Sequence, residues 1–161
     1  AKALLAEAGY DGTPIRWLTT REYPYLYTMA EYIKQSLEAI GMPVELVVSD
    51  WATLIQNRGN PELWEIFATT EPTSIHPVVR PWLDKAWPSF WDSAAKDELV
   101  TRLFETGLAE YQEVLDDLAQ LIYEEVPFIK VGEFFWFRAR REEVLGYINT
   151  PEWLFWNVSL G

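Results

Sequence analysis

Trp64-Glu65-Ile66-Phe67-Ala68-Thr69-Thr70 is the stretch on which the fold turns. It is short, it has aromatic and β-branched residues suited to a strand, and it empties into a proline- and tryptophan-rich segment that runs to Trp91. A strand here completes a series begun upstream. Pro14-Ile15-Arg16-Trp17-Leu18-Thr19 has strand composition, with Gly12 and Pro14 marking its entry. Leu26, Met29, Ala30, Ile33, Leu37 and Ile40 then recur at helical spacing, and Gly41 with Pro43 stops that helix. Val44-Glu45-Leu46-Val47-Val48 is a second strand candidate, Asp50 caps a short helix over 51–57, and Arg58-Gly59-Asn60-Pro61 breaks it. The order strand, helix, strand, helix, strand predicts crossover units on a parallel sheet. Right-handed crossovers then place the first strand between the other two. Ligands of such sheets bind outside the carboxyl ends of the strands. Residues 19–25, 49–51 and 69 onward are therefore expected to converge on one edge.

The segment after the third strand is longer than the roughly 12 residues usual for a connection, which marks it as functional or disordered. Trp82, Trp87, Phe90 and Trp91 argue against disorder and for a ligand-facing surface. Beyond it, Asp92-Ser93 caps a helix with Leu99, Val100, Leu103 and Phe104 on one face. A second helix carries Leu108, Tyr111, Val114, Leu115, Leu118, Leu121 and Ile122, and Pro127 ends it. Phe128-Ile129-Lys130-Val131 and Phe134-Phe135-Trp136-Phe137 are expected strands around a turn at Gly132-Glu133. At the other end, residues 2–8 form helix and Gly9 stops it; this is expected to be the last part of a longer helix and not a signal peptide.

A formal charge of -12 disfavours nucleic acid or an anionic membrane as partner, since phosphate binding depends on Lys and Arg. The chain has no Cys and one His, which leaves little material for thiolate sites or His-dependent nucleophilic relays. No cofactor is expected. With 161 residues the chain is long enough to bury a core.

The order of short motifs resembles the C-terminal lobe of the family-5 extracellular solute-binding proteins, the dipeptide-, oligopeptide- and nickel-type binding components of ABC importers. The resemblance rests on Ala3-Leu4-Leu5-Ala6-Glu7-Ala8-Gly9-Tyr10 and on Ile33-Lys34-Gln35-Ser36-Leu37-Glu38-Ala39-Ile40-Gly41-Met42-Pro43-Val44. It extends through Trp91-Asp92-Ser93, Asp97-Glu98-Leu99, Ile122-Tyr123-Glu124-Glu125-Val126-Pro127-Phe128-Ile129 and Glu143-Val144-Leu145-Gly146-Tyr147, and Asn157-Val158-Ser159-Leu160 is similar to the end of such proteins. It implies an α/β fold: a mixed, largely parallel sheet flanked by helices, of the periplasmic-binding-protein-like II type. It further implies that residues 1–143 are one ligand-binding lobe. Residues 144–161 would return as a tail to an N-terminal lobe outside this sequence, and apolar surface would be bare in the isolated fragment. Function follows as an expectation: a non-enzymatic solute-binding component that encloses a peptide or other small solute, works with ABC permease subunits, and resides in the periplasm or at the cell surface. In peptide-binding members a Trp and then an Asp often follow the third strand, and the Asp meets the peptide's amino group. Here that stretch is Thr69-Thr70-Glu71-Pro72-Thr73-Ser74, with Glu71 as its acid.

The expected ligand-binding residues are Tyr23, Tyr25, Thr70, Glu71, Thr73, Ser74, Trp82 and Trp87. The rings offer stacking surface, and Glu71 offers a counter-charge to a cationic group. Trp51 and Trp91 are expected to pack. The competing enzyme reading, a glycosidase-like hydrolase, needs two carboxyl groups across one cleft, and Glu71 with Asp50 is the pair it would use. His76 with Glu71 or Asp84 falls short of a metal-ligand set. Glu124-Glu125 is expected to be a solvated helix end, and Arg138, Arg140 and Arg141 a salt-bridged surface run.

Overall fold

The computed structural model describes residues 1–71, 80–135, 137–150 and 154–161. The chain divides into two compact units, Ala1–Glu71 and Pro72–Gly161.

In the first unit three strands form one parallel sheet: β1 (Ile15–Thr19), β2 (Val44–Val48) and β3 (Ile66–Phe67). Their order is β2-β1-β3, so β1 is central, as expected from the sequence. β3 is shorter than its composition suggests. Only Ile66 and Phe67 pair with β1, opposite Trp17 and Leu18, although Glu65 N still donates to Arg16 O at 3.0 Å. The helices are α1 (Lys2–Glu7), α2 (Pro24–Ala39) and α3 (Trp51–Asn57). α2 ends where glycine permits a left-handed residue: Gly41 has φ of 100°, its N–H donates to Glu38 O, and Met42 N–H donates to Leu37 O.

Side chains alternate across a strand, so Ile15 and Trp17 share one face of β1. On that face Trp17, Val44 and Ala30 are buried, with Ile33, Leu37, Leu46 and Ile66 packed around them. Residues 30, 33 and 37 are the helical spacing already visible in the sequence, and they fasten α2 onto the sheet. Leu18 points to the opposite face and is as deeply buried.

The amino ends of the strands are held by charge. Arg16 N donates to Glu65 Oε2 at 2.6 Å, its guanidinium reaches Glu65 Oε1 at 2.5 Å, and Nη1 donates to Glu62 O at 2.7 Å. The Arg16 side chain thereby holds the Glu65 carboxyl below its ordinary value, aided by the backbone N–H and opposed by desolvation. A carboxylate depressed on folding contributes stability above its unfolded pKa and loses it as pH falls through the folded one. Thermal stability of this unit is therefore expected to decline below pH about 4.3, the ordinary value of a glutamate. Glu65→Gln should show a shallower decline than wild type in a series of melts from pH 7 to 3. Parallel curves would show that the pair, more than a third exposed on both sides, is screened by solvent.

In the second unit α4 (Ala94–Glu105) and α5 (Tyr111–Glu125) pack through Leu103, Val114 and Leu118, joined by Leu83 and Trp91. Ser93 caps α4, its Oγ accepting from Lys96 N. Lys96 is itself buried; its Nζ donates to Leu83 O at 2.8 Å and meets Asp97 Oδ1 at 2.7 Å. Leu108 precedes α5 and is exposed, because the chain turns at 108–110 before the helix begins. Val144–Leu145 (β4) and Ser159–Leu160 (β5) form an antiparallel pair as their own two-stranded sheet. Gly146, at φ of 74°, permits this closure, since a Cβ there would sit 2.1 Å from Asn157 O.

Further expectations are corrected in this unit. Residues 128–131 and the described part of 134–137 are not strands; none of them belongs to a ladder, and a strand is stable only when paired. Trp136 lies outside the described residues. Glu125 is not merely solvated: it accepts from Trp91 Nε1 at 2.5 Å and from Ser93 Oγ at 3.0 Å, fastening the start of α4 to the end of α5. The arginine run does more than pair with acids: Arg141 Nη1 lies 3.9 Å from Glu143 Oε1, as expected, while Arg138 and Arg140 also bond backbone. Arg138 Nη1 donates to Thr150 O and Tyr147 OH, and Arg140 Nη1 to Val144 O.

Candidate functional site

The parallel sheet brings the carboxyl ends of β1, β2 and β3 to one edge of the first unit, where a crevice in this architecture lies. Ser49 N donates to Thr19 O at 3.1 Å, carrying the β1–β2 ladder past the last strand residue. Thr19 and Thr20 are buried there; Thr20 Oγ1 accepts from Glu22 N at 3.3 Å, while Thr19 Oγ1 is buried without a hydrogen-bond partner among the described residues.

The chain then opens into an aromatic group. Tyr23 stands just before α2 in extended conformation, and Pro24 starts the helix. Its ring meets Trp51 edge-on, with centroids 4.9 Å apart at 82°, and lies 5.8 Å from the ring of Tyr25. All three are half-buried. Trp51 reaches this position because Asp50 caps α3, accepting from Thr53 N at 2.9 Å, and because Trp51 N donates to Glu22 Oε2 at 3.2 Å. The sequence marked Tyr23 and Tyr25 as lining residues and Trp51 as packing; Trp51 packs against Tyr23 itself. Beside them the Arg21 guanidinium lies 4.5 Å from the Tyr27 ring centroid and donates to its hydroxyl at 2.8 Å.

At the end of β3, Thr70 and Glu71 are exposed. A charge that sequence spacing did not indicate stands at the end of the same strand. Arg58 follows α3, and its guanidinium lies 6.0 Å from the ring centroid of Phe67, the last residue of β3. Trp64 sets this geometry: its Nε1 donates to Arg58 O at 3.2 Å, and its ring meets Phe67 edge-on at 4.9 Å. Burial lowers the Arg58 pKa, and the field of Glu71 opposes that effect.

Trp82 and Trp87 belong to the second unit. Trp82 is half-buried against the Leu83–Trp91 cluster, with its ring 4.8 Å from Phe128. Trp87 lines a shallow hollow of about 230 Å³ with Pro81, Asp84 and Ala86. Thr73, Ser74 and His76 lie outside the described residues.

Chemically, this edge of the sheet offers stacking surface and charge. Asp50, one half of the carboxylate pair a hydrolase would use, is committed elsewhere: Oδ1 accepts from Thr53 N and Oδ2 from Thr53 Oγ1. Those bonds hold its carboxyl below the ordinary range, as an ionised helix cap. Among the described residues no three His, Asp or Glu side chains gather where they could hold a metal ion. No helix among them is long and apolar enough to cross a membrane.

The family model of bacterial extracellular solute-binding proteins, family 5 Middle, matches residues 1–89. A probable peptide ABC transporter periplasmic-binding protein of Sinorhizobium fredii is 25% identical over 172 aligned positions, covering 99% of this chain and 32% of that protein. The oligopeptide-binding protein AppA of Bacillus subtilis, solved with a nonapeptide, superposes with a TM-score of 0.73 at 18% identity, over 99% of this chain and 36% of its own. The dipeptide-binding protein of Pseudoalteromonas sp. SM9913, solved with Met-Leu, gives 0.64 at 24% identity, over 78% of this chain and 28% of its own. The solved structures establish the fold, and the chain spans about a third of the length of these relatives.

Proposed function

Because the chain belongs to the bacterial extracellular solute-binding proteins of family 5, we propose that it forms one lobe of the solute-binding component of an ABC importer and encloses a peptide or similar small solute against a second lobe. The observation that carries this reading is the parallel β2-β1-β3 order, which gathers Tyr23, Tyr25, Thr70 and Glu71 at the carboxyl edge of one sheet. Thr73, Ser74, Trp82 and Trp87 are proposed as ligand-facing from the sequence alone. Relatives named for peptide, dipeptide and oligopeptide binding support a peptide solute. The protein would work outside the cytoplasm, deliver its solute unchanged to permease subunits, and act by binding and release without turnover.

In this proposal residues 1–143 make the lobe, and 144–161 pack on the partner lobe. Leu154, Phe155 and Trp156, exposed by 42%, 58% and 79%, are the surface that motivates it. Exposed apolar patches of this kind find a partner.

Glu71 receives the solute's cationic group. A hydrogen bond to a charged group is worth about 1.5–3 kcal/mol, or roughly ten- to a hundredfold in affinity. Calorimetry on the intact protein with tetra-alanine, free or N-acetylated at its amino terminus, tests the reading. Wild type should prefer the free amine at least tenfold, and Glu71→Gln should abolish the preference. Absence of binding for all peptides in a panel of two to nine residues would overturn the peptide solute. An unchanged preference in Glu71→Gln would remove Glu71 from the site.

A further inference from the structure

We propose that the hollow lined by Trp87 and Asp84 is a cation subsite that takes a lysine or arginine side chain of the peptide solute. The inference rests on the peptide reading given above and is built from residues of the second unit alone.

Consecutive turns shape the hollow. Leu83 N donates to Arg80 O at 3.1 Å, Asp84 N to Pro81 O at 2.9 Å, Trp87 N to Asp84 O at 2.9 Å and Phe90 N to Trp87 O at 2.6 Å. The Asp84 carboxylate fastens the middle turn, Oδ1 accepting from Ala86 N at 2.9 Å. Pro81, Asp84, Ala86 and Trp87 thereby surround about 230 Å³. A pocket for a whole small molecule encloses roughly 300–1,000 Å³, so this one has room for a single side chain.

Two features set the segment apart from an ordinary exposed connection. Lys96, 1% exposed, reaches from α4 and donates to Leu83 O at 2.8 Å, while Leu83 itself is buried with Leu103, Val114 and Leu118. Phe90 has φ of 49°, a left-handed conformation that bulky side chains rarely adopt. Such strain persists only where the surroundings enforce it, and it clusters at ligand clamps. The hollow is therefore preformed.

Its wall has the chemistry of a cation site. Trp87 brings an indole, the ring that attracts a cation best. Asp84 is exposed, and Ala86 N engages only its Oδ1, which leaves Oδ2 for a ligand. Nearby lysines have acids of their own: Lys85 Nζ lies 3.8 Å from Asp92 Oδ1, and Lys96 Nζ 2.7 Å from Asp97 Oδ1. A cation over an exposed ring together with an exposed ion pair raises affinity about three- to thirtyfold over a neutral chain of the same shape.

The test is calorimetry on the intact protein with tetra-alanine carrying one lysine, or one norleucine, at each position in turn. Norleucine keeps the alkyl stem and lacks the charge, and the ratio of the two affinities on one sample cancels any unfolded fraction. At one position wild type should prefer lysine about three- to thirtyfold. Asp84→Asn, which retains an oxygen for Ala86 N, and Trp87→Leu should each cut that ratio about two- to fivefold, and the double variant should bring it close to one. A ratio near one at every position in wild type, with the peptides still bound, overturns the subsite and leaves the peptide reading standing. A preference that falls only in Glu71→Gln assigns the lysine to Glu71 and overturns the subsite as well. Absence of binding for every peptide overturns the peptide reading and the subsite with it.

Discussion

Replacing Trp17 by alanine is expected to cost about 3–5 kcal/mol, a large part of the 5–15 kcal/mol that stabilises an ordinary domain. Trp17 lies on the central strand, 3% exposed, where Ala30 of α2 and Val44 of β2 close over it. No smaller side chain fills that space, and the sheet cannot collapse inward without losing its register to β2 and β3. The indole also carries a burden: Nε1 is buried with no hydrogen-bond partner among the described residues. An unsatisfied buried donor costs about 1–3 kcal/mol. Trp17→Phe removes both part of the packing and that donor, so its net cost should stay below about 1.5 kcal/mol. Urea denaturation followed by circular dichroism, with hydrogen exchange of the β1 amides as a local readout, separates the two variants. A Trp17→Ala loss under about 1 kcal/mol, the average of point substitutions in general, would show that this cluster does not hold the first unit together.

Apart from β3, the helices and strands of the first unit were legible in the sequence to within about two residues, and the reason is local. Gly41 and Pro43, Asp50 with its short helix, and the 30-33-37 spacing each act within one or two turns of chain. Three strands alternating with two helices mark the sheet as parallel. β3 came out shorter because pairing, and not composition, sets where a strand ends. Residues 128–131 and the described part of 134–137 went wrong for the same reason: Phe128-Ile129-Lys130-Val131 has the propensity, but Ile129 is 79% exposed and Phe137 fully exposed, and no ladder takes them up.

The candidate site was legible where it depends on chain direction and not where it depends on tertiary contacts. The carboxyl edge of a parallel sheet could be placed from element order, which gave Tyr23, Tyr25 and Glu71. The contact of Trp51 with Tyr23 joins residues 28 positions apart, and Arg58 reads in sequence only as the residue before a Gly59-Asn60-Pro61 break. Nothing in spacing announces that the Trp64 indole turns this break back onto β3. Glu125 misled in the opposite sense. An acid at a helix C-terminus, unfavourable to the helix dipole, suggests solvent, whereas here it accepts from two side chains some thirty residues away.

Trp91→Ala is expected to have the corresponding effect in the second unit, about 3–5 kcal/mol, through two separable contributions. The ring is 6% exposed and packs with Leu83, Leu103, Val114 and Leu118, so truncation opens a cavity between α4 and α5. Its Nε1 also donates to Glu125 Oε2, and Glu125 Oε1 takes the Ser93 hydroxyl that caps α4. Trp91→Phe keeps most of the packing and deletes the indole bond; a bond to a charged acceptor is worth about 1.5–3 kcal/mol when buried, and the lower end applies because Glu125 is exposed to water. The cycle Trp91→Phe with Glu125→Ala isolates this bond. Groups in one hydrogen-bonded network couple by about 0.5–3 kcal/mol, and independent ones add to within about 0.3–0.5 kcal/mol. A coupling near 1 kcal/mol would establish that an acid at the end of α5 fastens the start of α4. Strict additivity, with Trp91→Ala still costly, would assign the whole effect to the ring's apolar packing and leave Glu125 a surface carboxylate.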